Sequence, residues 1–419
     1  MSAIQIQGMR PLFGTVEIQG SKNAVLPLMA AAVLAPGVTV IRHVPAIEDV
    51  ITMMKILEAL GCPCSLGDGT LTIDAKDPDG IGIPEKYVGK MRSSCLLLGP
   101  LLSRMGEAVT YFPGGCVIGA RPIDFHIHAL EQMGAVFFEA GGMILAGTGG
   151  LKGSEIRFPY PSVGATENAL MAAVLAEGTT VLDNCAAEPE IAELCRFLTK
   201  MGAKIHGTGE KRLVIEGVKE LTPTEFFLTG DRICAGTYLA AACAAGGEVT
   251  VRGVDPWVLK EPLRVMRQMG AAITTREETQ EILLTMERRP AGFRVCTGPY
   301  PEFPTDLQSV FLAVASAAEG RSRITETVFE ARFAAAAVMQ RFGARIRAEG
   351  RTLFVEGRYP LKPSIADAPD LRGGAALPVA AMAADGRSMI GNCEHIARGY
   401  EDIVRDLVSL GAEAEWIRI

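Results

Sequence analysis

At 419 residues, 48% of them hydrophobic and 21% charged, the chain is too long for one ordinary core and too apolar to be disordered, so about two domains are expected. A formal charge of −7 argues against a general polyanion-binding surface, for nucleic acid or for anionic membrane, while leaving room for a local basic pocket. Ten cysteines, without the density of a small disulfide scaffold, read as reduced thiols of a cytosolic protein.

Met1 to Arg10 has neither the basic flank nor the apolar core of a secretory leader. The Ala-rich helix expected over Ala24–Leu34 follows Ser21-Lys22-Asn23; it is too short to span a bilayer and contains Pro27. A β-branched strand, Val38–Ile41, comes next. Cys62-Pro63-Cys64 looks like half a metal site, but no second pair accompanies it, and His126 and His128 would not share a helix face. No metal and no cofactor is therefore expected. Lys90-Met91-Arg92-Ser93 opens a second apolar helix. Phe112 to Asp124 is an insertion in which Gly114-Gly115 makes a mobile loop with Cys116 at its tip and Arg121 nearby, an electropositive setting that raises thiol reactivity. Cys185, Cys195 and Cys243 lie in apolar contexts and read instead as small buried hydrophobes.

Ser162-Val163-Gly164 precedes the helix expected over Asn168–Leu175, which ends before a strand at Thr179–Leu182. An amphipathic helix at Glu188–Met201 places Ile191, Leu194, Cys195 and Leu198 at helical spacing, and short strands follow at Lys204–His206 and Arg212–Ile215. Further on, Asp231-Arg232, Thr305-Asp306 and Asp370-Leu371-Arg372 open three more apolar helices. Tyr300 to Pro304 forms a rigid approach to Asp306, whose carboxylate at a helix start suits a base.

These pieces are copies of one unit. An apolar-Gly-small phrase recurs at Gly61, Gly134, Gly202, Gly270, Gly343 and Gly411, about 70 residues apart, which is long enough for a small α/β module. Upstream of each, a second glycine ends an apolar run: Gly37, Gly106, Gly178, Gly247, Gly320 and Gly386. The first helix of each copy is apolar nearly all round and should be buried, with the amphipathic helix and strands outside it. Six units divide as three plus three, a pseudo-symmetric pair of domains. A binding solenoid is the rival architecture, but it predicts unspecialised units. Lys22, Arg92, Arg232 and Arg372 instead place cations where the helix dipole favours anions. A bound anion would satisfy both helix and cation, so a multiply anionic ligand is expected there.

The Pro113-Gly114-Gly115-Cys116 loop, running into Ile118-Gly119-Ala120-Arg121-Pro122, resembles the signature of the UDP-N-acetylglucosamine 1-carboxyvinyltransferase family. So do Gly20-Ser21-Lys22-Asn23, Ser162 to Thr166, Phe303 to Asp306, Thr325 to Glu330 and Arg398 to Glu401, and the match runs end to end. The resemblance implies an α/β fold of two pseudo-symmetric inside-out barrels, each of three repeats. One domain would hold residues 22–229 and the other residues 1–21 with 230–419. It implies a step of peptidoglycan synthesis in an interdomain cleft, with phosphoenolpyruvate and UDP-N-acetylglucosamine as the partners of the chain. Asp306 would take the proton of the sugar 3′-hydroxyl, and Cys116 would be general acid and the site of a covalent adduct. That thiol would also make the enzyme a target of the epoxide fosfomycin. Lys22, Arg121 and Arg398 would hold phosphoenolpyruvate, with Arg332 and Arg372 lining that end. Asn23, Arg92 and the run Arg121, Pro122, Ile123, Asp124, Phe125 would contact the UDP-sugar, as would Ser162, Val163, Gly164 and Val328. Tyr160-Pro161 and Cys234 depart from the family pattern, where a basic and an acidic residue are common. The related transferase acting on shikimate 3-phosphate lacks the Gly-Gly-Cys loop, so Cys116 discriminates against it. A non-catalytic UDP-sugar-binding paralogue is opposed by the joint presence of Asp306, Cys116, Lys22 and Arg398.

Overall fold

The computed structural model describes residues 2–112 and 123–418, and one chain path recurs through them. It is clearest around Asp306. A lead strand, Arg294–Cys296, enters the buried helix Gln308–Ala317, and Arg321–Thr325 returns parallel to the lead strand. The outer helix Ala334–Arg341 follows, and a hairpin of Arg345–Glu349 and Thr352–Glu356 completes a four-stranded sheet by pairing back onto Arg321–Thr325. Parallel neighbours demand a crossover, and here the crossover is the inner helix. The repeated glycines mark the exits of the two helices, Gly320 after the inner and Gly343 after the outer: φ is 82° and 81°, a region that side chains disfavour. All twelve glycines of the two series have positive φ, so the sequence repeat records a conformational requirement.

Several units borrow a strand from elsewhere in the chain. Ser2–Gln7 lies antiparallel between Arg387–Gly391 and Glu413–Arg418. Leu12–Glu17 is the parallel lead strand for Gly247–Arg252, and Glu225–Phe227 is that for Val38–Arg42. In the sheet containing Glu107–Tyr111 the lead strand shrinks to a single bridge between Gly82 and Val109.

The described residues form two compact units. Residues 2–19 with 230–418 make one, which carries Asp306; residues 20–112 with 123–229 make the other, which carries Lys22. Each has its own apolar core. In the Asp306 unit the helices Arg232–Ala245, Gln308–Ala317 and Leu371–Met382 pack on one another and are buried along their length, which their Ala and Gly content permits. In the Lys22 unit, Lys22–Ala32 and Val163–Ala173 are buried in the same way, and the latter packs on Leu98–Met105. No described helix is long and apolar enough to cross a membrane.

Two expected helix starts are corrected. The chain does not enter an α-helix at Lys90–Ser93 or at Thr305. It first makes a 3-10 turn, Arg92–Leu97 in one case and Thr305–Leu307 in the other, before the α-helices Leu98–Met105 and Gln308–Ala317. The tighter winding changes the direction in which Arg92 and Asp306 leave the backbone.

Candidate active site

Asp306 stands in that 3-10 turn because the apolar residues around it are anchored. Phe303 packs edge-on to Phe311 of the inner helix at 4.7 Å between ring centres, and Phe293 contacts the same ring at 6.0 Å. Leu307 fills a notch left by Gly236, where a Cβ would come within 2.6 Å of the leucine. The carboxylate is then met by two arginines from different segments. Arg332 Nη2 donates to Oδ1 at 2.7 Å, and Arg372 Nη2 donates to Oδ2 at 2.8 Å. Both guanidinium side chains are 6% exposed, and the Asp306 side chain is 24% exposed. Burial alone would lower the Arg372 pKa. Asp306, with Tyr400 and Asp231 behind it, outweighs that effect, and the pKa is raised. Arg332 Nε and Arg372 Nη1 are also buried, and neither has a hydrogen-bond partner among the described residues. Buried donors of this kind are rarely left unmatched, and they suit a ligand rich in anionic oxygens.

Lys22 opens its inner helix with Nζ 3.0 Å from Asp49 Oδ2, and Asp49 lies in the first turn of the outer helix Glu48–Ala59. Two of the cations at helix starts, where a bound anion was expected, meet a carboxylate of the protein itself. Asp49 serves Lys22 and Asp306 serves Arg372, and each carboxylate also sits favourably in the first turn of its own helix. Asp370 and Asp231 cap their helices through side-chain oxygens, and Ser162 Oγ accepts from Ala165 N at 3.4 Å.

Three segments expected to contact the UDP-sugar are brought together by a residue that sequence reasoning missed. Asn168 Oδ1 accepts from Gly99 N at 2.7 Å, and its Nδ2 lies 2.8 Å from both Cys95 O and His126 Nδ1. The amide therefore ties the Arg92 turn, the helix that starts at Ser162-Val163-Gly164 and the helix Asp124–Gln132. Gly164 permits this, since a Cβ there would sit 2.9 Å from His126. Ile123 is buried, Asp124 exposed, and Asn23, Arg92 and Phe125 half-buried. Cys116, Arg121 and Pro122 lie outside the described residues.

Arg398 and Val328 belong to the Asp306 unit. The segment after Arg398 is latched by Gln19, another residue not anticipated: Nε2 donates to Gly399 O at 3.0 Å and Oε1 accepts from Glu401 N at 2.8 Å. Tyr400 OH lies 2.7 Å from Thr237 Oγ1 on the inner helix. Cys234 is buried, with Sγ 3.6 Å from Gly399 O, and Tyr160 is exposed. Burial pushes the Cys62 thiol up to about 11 and the Cys64 thiol up to about 12. Cys185, Cys195 and Cys243 are buried, as their contexts led us to expect.

A family model described as EPSP synthase (3-phosphoshikimate 1-carboxyvinyltransferase) matches residues 6–407. A UDP-N-acetylglucosamine 1-carboxyvinyltransferase of Cellvibrio japonicus is 44% identical over 100% of both chains. A protein named UDP-N-acetylglucosamine 1-carboxyvinyltransferase 1 from Symbiobacterium thermophilum is 46% identical over 96% of this chain and 92% of its own. The chain belongs to the UDP-N-acetylglucosamine 1-carboxyvinyltransferase family. Its members are named as transferases. The crystal structure of the enolpyruvyl transferase NikO from Streptomyces tendae matches with a TM-score of 0.88 at 26% identity, over 99% of this chain and 98% of that one. EPSP synthase of Acinetobacter baumannii, at 19% identity and a TM-score of 0.77 over 100% of both chains, shares the mixed α/β fold.

Proposed function

We propose that this chain transfers the enolpyruvyl group of phosphoenolpyruvate to the 3′-hydroxyl of UDP-N-acetylglucosamine and releases phosphate, a step of peptidoglycan synthesis. The names of its relatives supply the acceptor. The observation that carries the chemistry is Asp306, held on both oxygens by two buried guanidiniums that keep further donors without partners among the described residues. When the phosphoenolpyruvate anion arrives, those donors and the Lys22 ammonium bind its oxygens. Asp306 takes the proton of the hydroxyl as that oxygen bonds to C2, and Cys116 delivers a proton to C3. Loss of a C3 proton with departure of phosphate then restores the double bond. Arg121 and Arg398 complete the anion site in this reading, and the arginines stabilise charge that builds up during addition. Asn23, Arg92, Ile123 to Phe125, Ser162 to Gly164 and Val328 hold the UDP-sugar. The Asn168 tie between the Arg92, Ser162 and Ile123 segments supports that assignment.

We read each unit as an inside-out α/β barrel of three repeats, with the domains divided as residues 22–229 and residues 1–21 with 230–419. Buried inner helices and the breaks at Gln19/Gly20 and Thr229/Gly230 support this division. Reduced, buried thiols such as Cys185 and Cys243 support a cytoplasmic location. The test is phosphate release from phosphoenolpyruvate with UDP-N-acetylglucosamine and, separately, with shikimate 3-phosphate as acceptor. Release with the UDP-sugar alone is expected, and release with shikimate 3-phosphate, or with neither acceptor, overturns the reading.

A further inference from the structure

Glu326 is 1% exposed, and no step of the proposed reaction uses it. Its Oε1 accepts from Thr297 Oγ1 at 2.9 Å, Val328 N at 2.8 Å and Phe329 N at 3.1 Å. Its Oε2 accepts from Thr305 Oγ1 at 2.8 Å. Four accepted bonds are what a carboxylate needs to remain buried without a large penalty. The second oxygen has a further consequence. A threonine hydroxyl has one proton, and Thr305 spends it on Glu326. The Thr305 lone pairs are thereby turned towards Arg332, whose Nη1 donates to Oγ1 at 3.0 Å while its Nη2 reaches Asp306 at 2.7 Å.

We propose that Glu326 is the positioning residue of this site: it orients the Thr305 hydroxyl to accept from Arg332, holding that guanidinium across Asp306, while its other oxygen fixes the backbone at Val328 and Phe329. One buried carboxylate thus sets the geometry of the base and of the turn assigned to the UDP-sugar. The geometry fixes the direction of every bond in the chain from Glu326 through Thr305 and Arg332 to Asp306. An amide of the same shape cannot reproduce it. With its oxygen on the turn, its NH2 group would donate to Thr305 Oγ1, and the displaced hydroxyl proton would face a second donor on Arg332.

The test compares the full-length wild type with Glu326→Gln, Thr305→Val and the double variant; its activity arm rests on the proposed transferase reading. Each single variant is expected to lower kcat by about 10- to 100-fold, the scale of a misplaced catalytic group. The double variant should be no worse than the poorer single, because both break one chain. KM for the UDP-sugar should rise with Glu326→Gln and stay put with Thr305→Val, since only the glutamate holds the Val328 backbone. Amide hydrogen exchange supplies a readout independent of turnover: Val328 and Phe329 should exchange about 10-fold faster in Glu326→Gln and unchanged in Thr305→Val. Single variants within about twofold of wild type in kcat, losses that multiply in the double variant, or unaltered exchange at Val328 and Phe329 would overturn the proposal. If Glu326→Gln fails to fold, Thr305→Val decides, and near wild-type turnover sinks the idea. A wild type without turnover defeats the transferase reading alone, and the exchange arm still decides the role of Glu326.

Discussion

Lys22 and Arg372 occupy equivalent first-turn positions in two repeats, and each meets a carboxylate, but the two partners come from different places. Asp49 belongs to the outer helix of the same repeat as Lys22, and its side chain is 5% exposed. Asp306 opens the inner helix of the preceding repeat, is 24% exposed, and is shared with a second cation, Arg332. The counter-ion drawn from within the repeat is the more buried of the two. The one borrowed across a repeat boundary is the more exposed, and in the proposed reading the substrate competes for its arginines. Equivalent sequence signals therefore meet a carboxylate of their own repeat in one place, and a carboxylate shared with a second arginine in the other.

The largest effect separating the two is expected from Asp306→Asn. It should cut turnover by about 100- to 10,000-fold, as loss of a general base does, with the fold retained by circular dichroism. Removing that charge also leaves two buried guanidiniums without their carboxylate. Inorganic phosphate should therefore raise the melting temperature of Asp306→Asn more than that of wild type, and an equal rise in both would break the comparison. Asp49→Asn should show chiefly as lost stability. It should cost about 3 kcal/mol in urea unfolding, the scale for breaking a buried pair from one side. Phe311→Ala tests the scaffold beneath Asp306, with an expected loss of about 3–5 kcal/mol by the same measurement.

The smallest effect concerns pH. Burial, then Glu190 and Glu188, push Glu167 well above its ordinary 4.5. Folded protein therefore holds a proton there that unfolded protein gives up above 4.5, and stability falls as pH rises through the interval between the two values. Glu167→Gln should flatten that fall, seen as a smaller drop in urea midpoint between acidic and neutral pH. An unchanged slope would remove Glu167 from the account.

What could be read in the sequence was whatever the backbone itself demands. The repeated glycines were visible because every one of them takes a positive φ, and the misplaced cations were visible because they break the dipole rule at a fixed register. Asp306 and Arg372 could be named from their helix starts, but not their contact, which two different repeats must pack together to make. Asp49 was missed because an acidic residue at the head of an amphipathic helix looks like ordinary dipole compensation. Asn168 was hidden in an apolar helix, where only the tertiary arrangement of His126, Cys95 and Gly99 gives its amide a task. The 3-10 turns at Arg92 and Thr305 escaped because their hydrogen-bond register differs by one residue from that of an α-helix.

The borrowed strands set an order of assembly. The described parts of the Lys22 unit, residues 20–112 and 123–229, follow one another in the chain, and Glu225–Phe227 pairs back onto Val38–Arg42. The Asp306 unit has Ser2–Gln7 at one extreme and its neighbour Glu413–Arg418 at the other. Ser2–Gln7 therefore cannot complete its sheet until Glu413–Arg418 has been made, after the whole of the Lys22 unit.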